Sequence, residues 1–260
     1  MQVVILCGGM GMRIREESEY RPKPMIEIGR RPILWHIMKF YAHYGFEDFI
    51  LCLGYKGDYI KNFFLNYPYM NGDFTVTLGR DSKVDVHQTN HHENWRVTLV
   101  DTGYDSQTGA RIKRVEKYVR GNDFMLTYGD GVSNVDVHAL VQVHQGHRHL
   151  ATVTGVRPPS RWGELVVDET RRVTEFREKP QLQEGFINGG FMVLRRGVFD
   201  YLSDEPSCNF ERGPMESLAR NGEMMVFPHD GFWQAMDTYR DLRLLSDMWD
   251  SGEAPWRVWS

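Results

Sequence analysis

The sequence predicts an α/β fold: an open, mostly parallel, mixed sheet with helices on both faces and a small β-rich insertion. Three observations predict it. The chain opens on an apolar, β-branched run, Val3-Val4-Ile5-Leu6-Cys7, that stops abruptly at Gly8-Gly9-Met10-Gly11. A buried parallel strand hands its chain in this way to a loop that approaches a ligand closely. Two more runs of the same kind follow at residues 49–53 and 123–128, and helical spacing separates the first from the second. The order β-loop-α-β-α gives a parallel, Rossmann-like sheet covered on both faces, with the ligand crevice at the carboxyl ends of its strands.

The opening loop fails two familiar phosphate patterns. The dinucleotide fingerprint requires a glycine where the chain has Ile14, and the Gly-Lys-Ser/Thr of the P-loop is missing. What remains is a glycine-rich turn whose amides can converge on anionic oxygens, followed by Arg13, Arg15, Arg21 and Lys23. That combination suits a triphosphate; the alternative is a turn that only reverses the chain.

From Pro32 to Tyr44, Ile33, Ile37 and Tyr41 recur at four-residue spacing, with Pro32 suited to the first turn and Gly45 to the stop, so a helix is expected. Ile60, Phe63, Phe64 and Tyr67 mark a second helix and belong to the core rather than to a base-stacking platform. Between Pro68 and Thr108 three short alternating stretches, 74–78, 84–87 and 96–100, follow one another without a helix. They read as an insertion that arches over the site or meets another subunit. Ile112, Val115 and Val119 give a helix before the run Asp123–Tyr128, which ends in Gly129-Asp130-Gly131. A carboxylate at the end of a buried parallel strand lies in the crevice, so Asp130 is a candidate metal ligand. The alternative is a turn aspartate bonded to its own backbone.

A helix around Leu140 and a strand over Ala151–Val156 follow, then strand-like stretches at 163–168, 173–176 and 187–194. Glu178-Lys179-Pro180 lies between the last two and Asn188-Gly189-Gly190 at the start of the last; they offer groups for a sugar's hydroxyls and its phosphate, or else mark a solvated turn and a bulge. Asp237 or Thr238 opens a helix running through Leu245 and Trp249, so Asp237 is either its cap or a second carboxylate facing the metal. The aromatic tail Ala254–Trp259 is too short to fold alone and is expected to pack on the body or on a neighbour.

With 260 residues the chain is expected to form one domain, 1–260. Its net charge of −4 argues against nucleic acid as a partner. Cys7, Cys52 and Cys208 are odd in number and widely spaced, and suggest no disulfide framework. No apolar run reaches membrane length and no signal-peptide pattern opens the chain, so no membrane partner and a cytoplasmic location are expected. The ten histidines, including His91-His92 and His144-x-x-His147, lack a cysteine cluster or a His-Glu-x-x-His pattern and are expected at the surface rather than on zinc.

Taken together and in this order, Gly8-Gly9-x-Gly11-x-Arg13, Lys23-Pro24, Gly129-Asp130, Glu178-Lys179-Pro180, Asn188-Gly189-Gly190 and Asp237 resemble the sugar-1-phosphate nucleotidyltransferase family. Residues 21–29, 32–39 and 99–103, with Phe232-Trp233-Gln234-x-Met236-Asp237-Thr238, are similar to the branch that uses CTP and glucose 1-phosphate, and the likeness spans nearly the whole chain. The resemblance implies an enzyme in which a hexose 1-phosphate oxygen attacks the α-phosphorus of CTP and pyrophosphate leaves in line. The product would be a sugar nucleotide for deoxysugar and surface-polysaccharide synthesis. It implies Mg2+ held by Asp130 and Asp237. Arg13, Lys23 and Asp130 would be catalytic, and Leu6, Gly8, Gly9, Gly11, Met12, Arg13, Lys23, Thr108, Arg111 and Gly129 would bind the nucleotide. Gly163, Glu178, Lys179 and Asn188 would bind the sugar phosphate. Residues 1–130, including a 68–108 insertion, would form the nucleotide half and residues 131–260 the sugar half with the tail. A homo-oligomer, trimer or hexamer, is implied as well.

Two positions depart from the family pattern: Met12 stands where a threonine or serine is usual, and Ala110 replaces a glycine beside Arg111. They leave room for another nucleotide (dTTP, UTP or GTP) or another sugar. A reading of a different class is a non-catalytic, ligand-binding regulatory paralogue. It would be marked by loss of Lys23, Asp130 or Asp237, all of which are present.

Overall fold

The computed structural model describes residues 1–9, 19–80, 82–89, 93–157, 164–167, 170–177 and 185–259. In chain order these give β1 (Val3–Leu6), β2 (Glu27–Ile28), β3 (Arg31–Pro32), α1 (Ile33–His43), β4 (Asp48–Leu53), α2 (Gly57–Leu65) and α3 (Tyr67–Met70). The hairpin of β5 (Gly72–Thr77) and β6 (Lys83–Thr89) follows, then β7 (Arg96–Asp101), α4 (Thr108–Arg114), β8 (Asp123–Tyr128), β9 (Gly131–Ser133) and α5 (Val137–Gln145). The remainder is β10 (Ala151–Val156), β11 (Glu164–Val167), β12 (Val173–Arg177), β13 (Ile187–Arg195), α6 (Pro214–Arg220), β14 (Met224–His229), β15 (Trp233–Ala235) and α7 (Tyr239–Asp250).

Seven strands form the central sheet in the order β14-β10-β13-β8-β1-β4-β7. β1 lies between β8 and β4, parallel to both, and β4 is parallel to β7. β13 runs antiparallel to β8 and to β10, which makes the sheet mixed. The opening strand is thus central and buried on both faces, which is why it reads as an unbroken apolar run. Its pleat sends Val3 and Ile5 into one core, with α1, α7 and Trp256, and Val4 and Leu6 into the other, with Ile112, Phe199 and Leu218. Cys7 and Cys52 are buried within these layers.

The expected insertion is shorter than 68–108. Residues 96–101 form an edge strand of the main sheet, with Asp48–Leu53 paired to Arg96–Asp101, so only the β5–β6 hairpin is inserted. An edge strand is half-exposed, and its alternating pattern resembles that of a free hairpin strand. The helix expected near Ile112–Val119 begins earlier, at Thr108, and ends at Arg114, followed by a 3-10 turn over Glu116–Tyr118. β14 has no counterpart in the sequence reading; it carries Pro228, which a sheet tolerates at an edge.

The histidines are not uniformly superficial: His36 and His144 are fully buried. His36 Nε2 lies 2.8 Å from the Ile28 carbonyl, and Trp256 Nε1 donates to His36 Nδ1 at 3.4 Å, which fits the neutral tautomer protonated on Nε2. The aromatic tail therefore packs on the body, where Trp256 also stacks on Phe232. Burial lowers the His36 pKa from 6.5 to about 4. Between these values the unfolded chain binds the proton that the folded chain refuses, so stability is present above pH 6.5 and is lost as pH falls toward 4. The expected slope from this residue is about 1.4 kcal/mol per pH unit. Urea denaturation across that window should show a shallower dependence in His36→Gln, which keeps a donor for Ile28.

Candidate active site

The crevice opens at the carboxyl ends of β1 and β8, where Gly8 and Gly9 leave one strand and Gly129 and Asp130 leave the other. A cavity of about 630 Å3 lies there, lined by Leu6, Gly8, Gly9, Lys23, Thr108, Arg111, Tyr128, Gly129, Asp130 and Asp237, with the Tyr104–Gln107 loop on one side. A second cavity, about 150 Å3, adjoins it and is lined by Gly189, Phe191 and Trp233 together with Tyr128, Asp130 and Asp237. The two carboxylates and Tyr128 thus stand at the seam between a larger and a smaller chamber.

Local chemistry places each group at that seam. Prolines on both sides set Lys23 in a short 3-10 turn, Lys23–Met25, stitched by Met25 N–H donating to Pro22 O at 2.8 Å. The β9–β15 pair brings Gly131 opposite Ala235, and Met236 N donates to the Asp130 carbonyl, so the residues flanking Asp130 and Asp237 are tied across a two-strand ladder. Thr238 caps α7 with a capping box to Asp241, so Asp237 has no capping duty. Its carboxylate instead accepts from Lys23 Nζ at 2.8 Å, while Asp130 Oδ2 accepts from the same ammonium at 2.5 Å. Burial would depress the Lys23 pKa, but the charges and hydrogen bonds of Asp130 and Asp237 outweigh it and raise it. The lysine is held firmly as a cation.

Arg111, only 4% exposed, occupies the floor. Its Nη1 donates to Leu53 O, Thr102 Oγ1 and Gly103 O, and its Nη2 to Gly8 O and Tyr104 O, at 2.8–3.2 Å. A Cβ on Gly8 would fall 2.2 Å from the guanidinium carbon, and one on Gly54 would lie 2.4 Å from Nη1. Glycine at these positions makes room for the clamp. Arg111 therefore reaches the cavity as the tie between the opening loop, the end of β4 and the 103–104 loop. Thr108 lines the cavity too, its hydroxyl donating to Glu211 Oε2 at 2.6 Å and accepting from Phe210 N at 2.9 Å. Ala110, one of the two departures, is buried away from the cavity lining, with its amide bonded to Cys208 O.

Leu6, Gly8, Gly9, Lys23, Thr108, Arg111, Gly129, Asp130 and Asp237 are thus brought together. Asn188 stands beside Gly189 at the smaller chamber and bonds to the Tyr128 hydroxyl. Gly11, Met12, Arg13, Gly163, Glu178 and Lys179 lie outside the described residues. Sequence reasoning overlooked Tyr128, Glu211 and Trp233. Tyr128 had a usable signal, since it immediately precedes Gly129-Asp130 at the strand end, whereas Glu211 sits in a loop without any pattern.

The chain's sequence between residues 2 and 242 matches the family described as Nucleotidyl transferase. The protein belongs to this family. Among its relatives, the glucose-1-phosphate cytidylyltransferase of Salmonella typhi is 47% identical over 260 residues, covering 100% of both chains. The probable glucose-1-phosphate cytidylyltransferase of Bacillus subtilis (strain 168) is 43% identical over 259 residues, again over 100% of each. Solved structures share the nucleotidyl transferase fold at lower identity. HddC from Yersinia pseudotuberculosis superposes with a TM-score of 0.69 at 24% identity, covering 95% of this chain and 99% of that one. The inositol-1-phosphate CTP transferase from T. maritima gives 0.64 at 16%, covering 95% of each.

Proposed function

We propose that this nucleotidyl transferase moves the cytidylyl group of CTP to glucose 1-phosphate, forming CDP-glucose and releasing pyrophosphate. The observation that carries the reading is the seam: a fixed ammonium and two carboxylates where a large chamber meets a small one, in a chain 47% identical to a glucose-1-phosphate cytidylyltransferase over its full length. CTP occupies the larger chamber and the sugar phosphate the smaller, so the α-phosphorus lies at their junction. A sugar phosphate oxygen attacks that phosphorus, the bond to the β-phosphate oxygen breaks, and its electron pair leaves with pyrophosphate. A phosphate monoester is largely dianionic at neutral pH, so the step needs no general base and rests on alignment and charge.

The donor set fits a magnesium ion. Asp130 and Asp237 already direct one oxygen each at a single cation, the Lys23 ammonium, and hard carboxylate oxygens are what magnesium takes. Asp130 and Asp237 would hold it, and when bound it would neutralise phosphate charge. Lys23 and Arg13 orient the phosphates and offset their charge, with the amides of Gly8, Gly9 and Gly11 around them. Asn188, Glu178 and Gly163 meet the hexose and Lys179 its phosphate. Residues 1–130 serve the nucleotide and 131–260 the sugar, within one cytoplasmic domain of a homo-oligomer. Supporting the last, Phe74, Val76, Val84 and Val86 stand exposed in facing pairs on the β5–β6 hairpin. Among the described residues no helix is long and apolar enough to cross a membrane.

A panel of triphosphates and sugar 1-phosphates in a pyrophosphate-release assay tests the substrates. Release is expected with CTP, glucose 1-phosphate and Mg2+ together; a preference for UTP or dTTP would sink the cytidylyl assignment.

A further inference from the structure

The loop between the turn at Arg196–Tyr201 and α6 carries Glu211, whose carboxylate is shared between the two sides of the seam. Oε2 accepts the Thr108 hydroxyl at 2.6 Å, from the first residue of α4 in the larger chamber. Oε1 accepts the Tyr128 hydroxyl at 2.6 Å, and Tyr128 lines both chambers. The Tyr128 oxygen in turn accepts from Asn188 Nδ2 at 3.2 Å. Asn188 Nδ2 also lies 3.9 Å from Met215 Sδ, and Asn188 Oδ1 accepts from Gly190 N at 2.9 Å.

The order of donors along this chain is dictated from both ends, by Glu211 and by Gly190 N–H, which only donates to Asn188 Oδ1. An ionised carboxylate only accepts. Each hydroxyl facing Glu211 must therefore spend its single proton there, and the Tyr128 oxygen is left to accept. Asn188 must then turn its amide nitrogen toward Tyr128, which points its carbonyl the other way, with one lone pair on Gly190 N and the second available to a ligand hydroxyl. Burial first, and the Glu211 charge second, raise the Tyr128 pKa, so its hydroxyl remains a donor. The ring is also pinned: Gly190 has φ +94, and a Cβ there would lie 2.8 Å from Tyr128 Cδ2.

We propose that Glu211 is a positioning residue for the sugar substrate, seating through Tyr128 the amide nitrogen of Asn188 and so the way its side chain meets the hexose. The proposal rests on the function proposed above, with Asn188 on the sugar side. It adds a residue 23 positions away from Asn188 in sequence that lines neither substrate chamber itself and acts through Thr108 and Tyr128, which do.

Glu211→Gln keeps the shape but adds a donor, which lets the Tyr128 hydroxyl turn its proton toward the Asn188 amide nitrogen and leaves that amide held by Gly190 N alone. The expected result is a KM for glucose 1-phosphate raised about tenfold, with kcat and the KM for CTP within about threefold. Tyr128→Phe deletes one oxygen and breaks the same relay, so the sugar KM should rise similarly. Because both changes cut one chain, the double variant should be no worse than the poorer single one. An unchanged sugar KM, a fall in kcat with both KM values raised together, or additive effects in the double variant would each overturn the proposal. Should Glu211→Gln fail to fold, the sugar KM of Tyr128→Phe decides alone. Wild-type protein inactive with CTP and glucose 1-phosphate overturns the substrate assignment instead, and the same KM comparison is then made with the pair the panel selects.

Discussion

Asp130→Asn should lower turnover by about 10²- to 10³-fold while the protein stays folded. The residue follows a buried strand, but its carboxylate stands at the cavity seam rather than in either core, so exchanging one oxygen for an amide leaves the packing intact. What changes is charge. Lys23 loses one of its two carboxylate partners, and the pair of oxygens converging on one cation becomes a single oxygen. Steady-state pyrophosphate release beside a thermal melt separates the two effects. Wild-type turnover in this variant would remove Asp130 from the mechanism.

Arg111→Met should be the most destabilising change at the site, costing about 3–5 kcal/mol and lowering the melting temperature by on the order of 10 °C. The guanidinium is buried and holds four main-chain carbonyls and one hydroxyl from three separate loops. Methionine fills much of the volume but leaves the carbonyls of Gly8, Leu53, Gly103 and Tyr104 without this donor, and a buried carbonyl deprived of its partner is costly. Arg111→Lys should rescue little, because a point ammonium with three donors cannot span the fork that reaches all five acceptors. A melting temperature within a degree or two of wild type would show that the loops hold without the clamp.

The strength of the sequence signal followed burial. The central strand β1 and its neighbours β4 and β8 are apolar on both faces and announced themselves as unbroken runs. Edge strands did not: β7 alternated like part of an insertion, and β14 hid behind Pro228. The site was legible where glycine and charge coincide, at Gly8-Gly9, Lys23-Pro24 and Gly129-Asp130, because close backbone approach and a fixed cation each leave a local mark. Asp237 stayed ambiguous with Thr238 until the capping box assigned the cap to Thr238 and left Asp237 to Lys23. The family resemblance puts Arg111 at the nucleotide side, yet its role as a clamp depends on carbonyls more than 50 residues away in Leu53 and Gly8, which no local pattern encodes. The burial of His36 is hidden from local pattern for the same reason, since Trp249, Trp256 and Trp259 pack on it from the far end of the chain.

The central claim is a single in-line displacement driven by a charge clamp, with no protein nucleophile. Exchange of labelled pyrophosphate into CTP tests it most directly. With wild-type protein, Mg2+ and CTP but no sugar phosphate, no label should enter CTP; adding CDP-glucose should open exchange through the reverse reaction. Label entering CTP in the absence of any sugar would reveal a cytidylyl-protein intermediate and contradict direct attack.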